Sequence, residues 1–375
     1  MHVTILLLGI TGNVAKLKVL PGINDFALAN PENSVDLVGY SRSLITEAEV
    51  NSSLSPDKPH ALRSILLRTG EYQNISVFQD LVSTLAKDAK LIVYLAVPPS
   101  VYTDFIAALP ESLPSNIVIL IEKPFGENLV NLQAISKIIT EKHLEKNILF
   151  LDHYLFKNGL TLRPTPIHAS SISSVTVKAI ETVGVEDRLG YYSTTGAVQD
   201  MFVHLLNLIR TELSILSGKP SNFPSALIVN TAILGQYESV ATELPANIPT
   251  YFDIHGTLQF ESLRLPFRFV SGKKLNKKKT VSTFKTSNTS VTWEINPKIE
   301  LKEGRVKYQV GNTSSDHQNI FEQVVGEQNG FLHIQEALEI SRLEESLLNQ
   351  TKHTKMIVYP DNSTVPDITR LATKV

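Results

Sequence analysis

The chain has 375 residues, a formal net charge of −2, 42% hydrophobic and 19% charged residues, and no cysteine. That length accommodates two domains with separate cores. The missing thiols exclude disulfides, thiolate catalysis and Cys-ligated metals, and the near-neutral balance argues against a general nucleic-acid binder. Met1-His2-Val3-Thr4 enters an apolar strand without a basic leader, and no apolar run reaches the about 18 residues that cross a bilayer; a cytoplasmic protein is expected.

Val3–Leu8 predicts a buried strand ending in Gly9-Ile10-Thr11-Gly12-Asn13-Val14-Ala15-Lys16, after which apolar residues recur at helical spacing. Strand, glycine turn and helix in that order present free N–H groups to a phosphate, although the spacing is G-x-x-G-x-x-A rather than G-x-G-x-x-G. A second strand, Ser34–Gly39, leads into Tyr40-Ser41-Arg42-Ser43. An acid near that point suits a ribose hydroxyl and an arginine a 2′-phosphate, so Arg42 reads either as an NADP contact or as a solvated loop residue.

The stretch Glu47–Leu67 reads as a loop with short helices, broken by Pro56 and Pro59. Asn74–Phe78 follows as a strand, Leu81–Ala89 as a helix, Leu91–Ala96 as a strand and Val101–Leu109 as a helix. Asn116–Ile121 is a strand ending in Glu122-Lys123-Pro124-Phe125-Gly126, Leu129–Lys146 an amphipathic helix, and Ile148–Leu151 a strand stopping at Asp152-His153-Tyr154. Such alternation predicts a Rossmann-type, doubly wound parallel sheet over residues 1–152. Ligands of open α/β sheets bind at the carboxyl edge, where Lys123, Asp152, His153, Tyr154 and Lys157 would gather. An isolated tetrad of this kind is equally an ordinary strand exit.

From Ser173 the pattern changes to alternating residues, which suits antiparallel strands with one solvated face. Val175–Glu181 opens this domain, a polar loop runs to Tyr192, and a helix opens at Gly196 with Asp200 and His204 on one face. Read alone, His204 is either a satisfied core residue or a functional imidazole. Tyr251–Phe284 reads as successive strands around the lysine-rich turn Ser271–Lys279. Val291–Ile295 and Ile299–Leu301 follow, then helices near Asp316–Val325 and Gly330–Leu348, a strand Met356–Tyr359 and a polar tail. Residues 153–375 are therefore expected to form an α+β domain with a large, mainly antiparallel sheet.

Taken in order, several segments resemble the glucose-6-phosphate dehydrogenase family: Gly9–Lys16 (G-A-S-G-D-L-A-K there), Val38–Ser43 (V-G-Y-A-R-S), Leu95–Pro99 (L-A-x-P-P), Glu122–Gly126 (E-K-P-F-G), Asp152–Lys157 (D-H-Y-L-G-K), Glu181–Tyr192 (E-x-V-G-V-E-G-R-G-G-Y-Y) and Ser271–Leu275 (T-G-K-x-L), with Phe321–Glu345 like the terminal helices. The resemblance implies oxidation of C1 of a hexose 6-phosphate, glucose 6-phosphate favoured, to the lactone, with hydride passing to NADP⁺, or to NAD⁺ as the alternative. It makes His204 the base and Asp152 the carboxylate that orients it. Lys123, His153, Tyr154, Lys157, Glu181, Asp200, Lys273 and Lys278 fall to the substrate. Gly9, Thr11, Gly12, Asn13, Val14, Arg42, Ala96, Pro98 and Lys123 fall to the cofactor. No metal is expected, and the second-domain sheet is the candidate surface for a homodimer.

Departures from the family are specific. Phe156 replaces a glycine and should bring a ring close to where the phosphate enters. Asn13 replaces an aspartate, and the chain is shorter than typical members. The step from Asp200 to His204 is one residue shorter than in D-V-M-Q-N-H, and one helical residue is about 100° of rotation, so both family poses would require a local bulge. The shorter step also resembles G-G-x-x-x-D-x-x-x-H of the Gfo/Idh/MocA sugar and inositol oxidoreductases, which lack the D-H-Y-L segment. A third reading is a paralogue that binds a sugar phosphate or a partner without turnover.

Overall fold

A computed structural model describes residues 1–54, 57–72, 82, 84–85, 89–161, 171–261, 263–295, 301–302, 305–306 and 315–373. They form two compact units, Met1–Lys157 with Asn312–Leu338, and Asn158–Gly311 with Glu339–Val375. The first unit is thus discontinuous in sequence.

Its sheet comprises β1 (His2–Leu8), β2 (Ser34–Ser41), β3 (Ser64–Thr69), β4 (Lys90–Leu95), β5 (Ile117–Glu122) and β6 (Ile148–Leu151), in the order β3-β2-β1-β4-β5-β6. Every neighbouring pair is parallel. The four central and right-hand strands are apolar runs buried on both faces, as a helix-covered parallel sheet demands. Helices α1 (Leu20–Ala29), α2 (Glu47–Leu54), α3 (Tyr102–Ala108) and α4 (Leu129–Glu141) accompany the strands. The stretch read as loop and short helices therefore contains strand β3. It is an edge strand whose exposed Leu66 breaks the expected apolar–polar alternation. The expected strand at Asn74–Phe78 and most of the expected helix Leu81–Ala89 lie outside the described residues.

The second unit holds a seven-stranded sheet of β7 (Ile172–Ile180), β8 (Ala226–Tyr237), β9 (Tyr251–Gln259), β10 (Arg264–Gly272), β11 (Lys279–Thr286), β12 (Ser290–Glu294) and β13 (Met356–Tyr359). Their order is β12-β11-β7-β10-β9-β8-β13. Only β7–β10 and β8–β13 are parallel among these pairs. Helix α5 (Leu189–Ser217) packs on this sheet, with Phe202 edge-on to Phe269 at 6.0 Å between centroids. It is two helices joined at Gly196, whose φ of 66° and ψ of 170° are non-helical. The polar stretch before Gly196 is thus partly helical rather than a loop up to Tyr192.

Helix α6 (Asp316–Val325) returns to the first unit, where Phe321 lies 6.1 Å from Phe26 and 6.2 Å from Tyr94 between ring centroids. Leu332 then exchanges backbone hydrogen bonds with Phe150 of β6 at 2.8 and 2.9 Å. Helix α7 therefore starts at Ile334 rather than Gly330 and runs to Thr351. The segment expected as a polar tail folds into α8 (Val365–Ala372), because Thr364 and Asp367 form a reciprocal capping box ahead of Val365, Ile368 and Leu371. No helix among the described residues is long and apolar enough to cross a membrane.

One group inside the second unit is at odds with its surroundings. Glu212 of α5 is fully buried, and neither carboxylate oxygen has a hydrogen-bond partner of good geometry. Burial pushes its carboxyl well above the ordinary value, and the Ser282 hydroxyl opposes this only in part. A raised carboxyl pKa means that folding favours the neutral acid. Its destabilising effect is absent below the unfolded pKa and grows as pH rises above it, up to the folded pKa. Glu212→Met should therefore stabilise the protein by about 1–3 kcal/mol at neutral pH. Denaturant melts at several pH values are expected to show the gain shrinking toward pH 4.

Candidate active site

At the carboxyl edge of the first sheet, Gly9 takes φ +82° and donates its N–H to Tyr40 O at 2.8 Å. A Cβ at Gly9 would collide with the Ala96 carbonyl, so only glycine lets β1 turn this close to the end of β4. Gly12 N–H closes the turn on Gly9 O at 2.8 Å, with Thr11 at its tip and Asn13 and Val14 exposed at the start of the helix. The helix begins at Asn13, directly after Gly12, so its first N–H groups stand at this edge, suited to an anion. Arg42 follows β2, exposed, with its guanidinium 5.6 Å from the centre of the Tyr72 ring. Pro98 leads from Ala96 into a short 3₁₀ turn.

Two strands along, β5 ends at Glu122 and Lys123, and Lys123 N–H bonds Leu151 O at 3.2 Å. Asp152 is fully buried and caps the 3₁₀ turn His153–Phe156, accepting from Tyr154 N–H at 2.9 Å. His153 Nδ1 lies 3.5 Å from Glu122 Oε1, and its ring stands edge-on to Tyr154 at 5.1 Å. Lys157 pairs with Asp316 Oδ2 at 2.8 Å while lying over the Tyr154 ring at 4.7 Å. The unit thus gathers Lys123, His153, Tyr154 and Lys157 near Asp152 on adjoining strand ends.

Phe156 does not crowd that edge. It is 5% exposed, packs 4.8 Å from the Phe331 ring, and belongs to the core of the first unit. Its carbonyl accepts from Asn319 Nδ2 at 2.7 Å. The 3₁₀ turn sends this ring inward onto the returning segment, so the expectation that it would flank the phosphate is corrected.

Sequence reasoning gave no role to Tyr94, Glu122, Asp316 and His317. Burial opposes charge on Glu122, but His153, His317 and the Tyr94 hydroxyl outweigh it and keep the carboxyl below its usual value. Burial holds His317 down to about 4, so it is neutral at physiological pH.

In the second unit, Glu181 follows β7 and pairs with Lys273, which is 8% exposed. Lys273 Nζ also lies 4.0 Å from Asp200 Oδ2. Asp200 is further held by Tyr192 Oη at 2.6 Å, Tyr191 Oη at 3.4 Å and Arg188 Nη2 at 3.6 Å, and Arg188 stacks over Tyr191 at 4.6 Å. Arg188, Tyr191 and Tyr192 were missed as site residues. His204 is 4% exposed, one turn beyond Asp200. Within α5 only Gly196 departs from helical geometry, so the bulge that both family poses would require is absent between Asp200 and His204. Lys278 lies exposed in the turn before β11, and no ion pair or hydrogen bond among the described residues joins it to this cluster.

The sequence model described as glucose-6-phosphate dehydrogenase, NAD binding domain, matches residues 6–161. A probable glucose-6-phosphate 1-dehydrogenase of Schizosaccharomyces pombe is 28% identical over 339 residues, covering 73% of this chain and 71% of that protein. Residues 6–161 thus match the NAD binding domain of the glucose-6-phosphate dehydrogenase family, and most of the chain is similar in sequence to members of it. Glucose-6-phosphate 1-dehydrogenase of Dictyostelium discoideum is 26% identical over 297 residues, covering 68% of this chain and 59% of that one. The chain thus spans 59–71% of the length of these two glucose-6-phosphate dehydrogenases. In fold it is similar to glucose-6-phosphate 1-dehydrogenase from Mycobacterium avium, with TM-score 0.75 at 17% identity, covering 96% of this chain and 94% of that one. A scyllo-inositol dehydrogenase from Lactobacillus casei, of the kind the alternative reading names, is more distant, with TM-score 0.57 at 12% identity over 93% and 96% of the two chains.

Proposed function

We propose that this chain oxidises C1 of a hexose 6-phosphate, glucose 6-phosphate favoured, to the lactone, using NADP⁺. The observation that carries this reading is the carboxyl edge of the first sheet. There a glycine turn, an arginine after β2, and Lys123, His153, Tyr154 and Lys157 occupy successive strand ends. The cofactor fits the residues present. Gly9 lets β1 turn tightly against the Ala96 carbonyl, the following helix starts directly after Gly12, and Arg42 stands where an acid would favour a ribose hydroxyl. Gly9, Thr11, Gly12, Asn13 and Val14 would cradle its phosphates, Arg42 the 2′-phosphate, and Ala96, Pro98 and Lys123 its remaining contacts.

NADP⁺ supplies the hydride acceptor. His204 takes the C1-hydroxyl proton on a ring nitrogen, and Asp152 is assigned, from the family resemblance, as the carboxylate that fixes its tautomer and stabilises the imidazolium. His153, Tyr154 and Lys157 hold the phosphate dianion through charge-assisted hydrogen bonds, with Lys273 and Lys278 adding charge. Glu181, Asp200 and Lys123 hold sugar hydroxyls. The unbroken helix from Asp200 to His204 favours a second reading, a sugar or inositol oxidoreductase of the Gfo/Idh/MocA kind.

Absorbance of reduced cofactor, followed with a panel of sugar 6-phosphates, free sugars and inositol, separates the two. Turnover of glucose 6-phosphate supports the first; turnover of unphosphorylated compounds alone supports the second. His204→Asn should lower turnover by about 10²–10⁴-fold with little change in substrate affinity, and full activity would remove His204 as base. Arg42→Ala should weaken NADP⁺ selectively, and an unchanged NADP⁺/NAD⁺ preference would refute its role. The second-unit sheet, with the Arg268–Asp253 pair at 2.9 and 2.6 Å between adjacent strands, is proposed as a homodimer surface. Sedimentation velocity should then give a dimer, and a monomer at high concentration would reject it.

A further inference from the structure

The first unit contains a carboxylate that the proposed reaction does not use. Glu122, the last residue of β5, has a side chain only 16% exposed. Its Oε2 accepts from Tyr94 Oη at 2.8 Å, and its main-chain carbonyl accepts from Tyr102 Oη at 3.3 Å. Its other oxygen, Oε1, is turned to His153 Nδ1 at 3.5 Å. Burial raises the pKa of both phenols, and the Glu122 charge adds to it, so both remain protonated donors, Tyr94 to the carboxylate and Tyr102 to the main-chain carbonyl.

Asp152 also faces His153: one of its carboxylate oxygens lies within 4.8 Å of a His153 ring nitrogen, and its Oδ1 accepts from Tyr154 N–H at 2.9 Å. His317 of α6 stacks on the His153 ring at 6.5 Å and 23°, and is neutral above about pH 4, so it brings no competing cation. Asp316 is taken by Lys157.

We infer that Glu122 is the positioning residue of His153: it holds the Nδ1–H, so that Nε2 serves a phosphate oxygen as the second donor of an imidazolium. The count of donors and acceptors on the ring requires this. A neutral imidazole has one N–H, and if Glu122 takes it at Nδ1 the bare Nε2 repels a dianion. The ring can satisfy both anions only by gaining a proton, and Glu122 supplies the counter-charge that makes this favourable. This inference rests on the reading that His153 grips the 6-phosphate.

The test measures glucose 6-phosphate binding by calorimetry at pH 8, where the phosphate is already a dianion, in buffers of different ionisation enthalpy. The wild-type protein is expected to take up a proton on binding, and Glu122→Gln to lose that uptake. The KM for glucose 6-phosphate should rise about tenfold in the variant, as a charge-assisted bond becomes a neutral one, while the KM for unphosphorylated glucose is unchanged. Nitrogen-15 histidine spectra should show the His153 tautomer shift away from Nδ1–H. Equal proton uptake in both proteins, or parallel losses for glucose and its phosphate, would overturn the inference and leave the proposed reaction standing. If the wild-type protein binds neither glucose 6-phosphate nor inorganic phosphate, the phosphate site itself is wrong. Should Glu122→Gln fail to fold, Glu122→Asp decides. A retracted carboxylate should raise the KM for the phosphate only, and a change in both or in neither rejects the role.

Discussion

Phe156 lies five residues past the end of a buried strand and packs against Phe331, a contact across 175 positions of sequence that closes the first unit. The cost of joining such distant segments rises only logarithmically with their separation, so a few large buried rings can offset it. Once that contact forms, α6 is fixed. Asp316 then reaches Lys157, His317 stacks behind His153, and Phe321 fills the space between Phe26 and Tyr94. The proposed phosphate grip therefore stands on a hydrophobic junction, and its polar residues inherit their positions from apolar neighbours.

Most of the parallel sheet was legible because its causes are local. Strands β1, β4, β5 and β6 are largely apolar runs, and a glycine turn after the first needs no distant partner to be recognised. Strand β3 was hidden because an edge strand buries little and Leu66 spoils its alternation. The misjudged tail is a different case. Thr364 and Asp367 spell a cap signal, but it precedes a helix of only eight residues.

The candidate site was legible where a motif is contiguous and illegible where the chain crosses itself. Asp152, His153, Tyr154 and Lys157 come from one segment and stand near one another as expected. Glu122 sat in a quoted motif without a role, because its role depends on Tyr94 and His153 from other strands. Nothing near His317 in sequence indicates that it stacks on His153. Arg188 and Tyr192 hold Asp200 across the break at Gly196, so a helical wheel drawn through that glycine would place them wrongly. Phe156 was misassigned for a similar reason: the departure from the family was visible, but the direction of its ring is set by a segment that arrives later.

The hydrogen bonds between Leu332 and Phe150 bear on biosynthesis as well as on the finished fold. During translation β6 has a partner on its β5 side early, but the backbone it uses toward Leu332 stays uncovered until more than 180 further residues have been made. Meanwhile Asn158–Gly311, the larger part of the second unit, is synthesised. An unpaired apolar strand edge is an invitation to other chains. Through that interval Ile148–Leu151 keeps one backbone edge open to pairing with other chains.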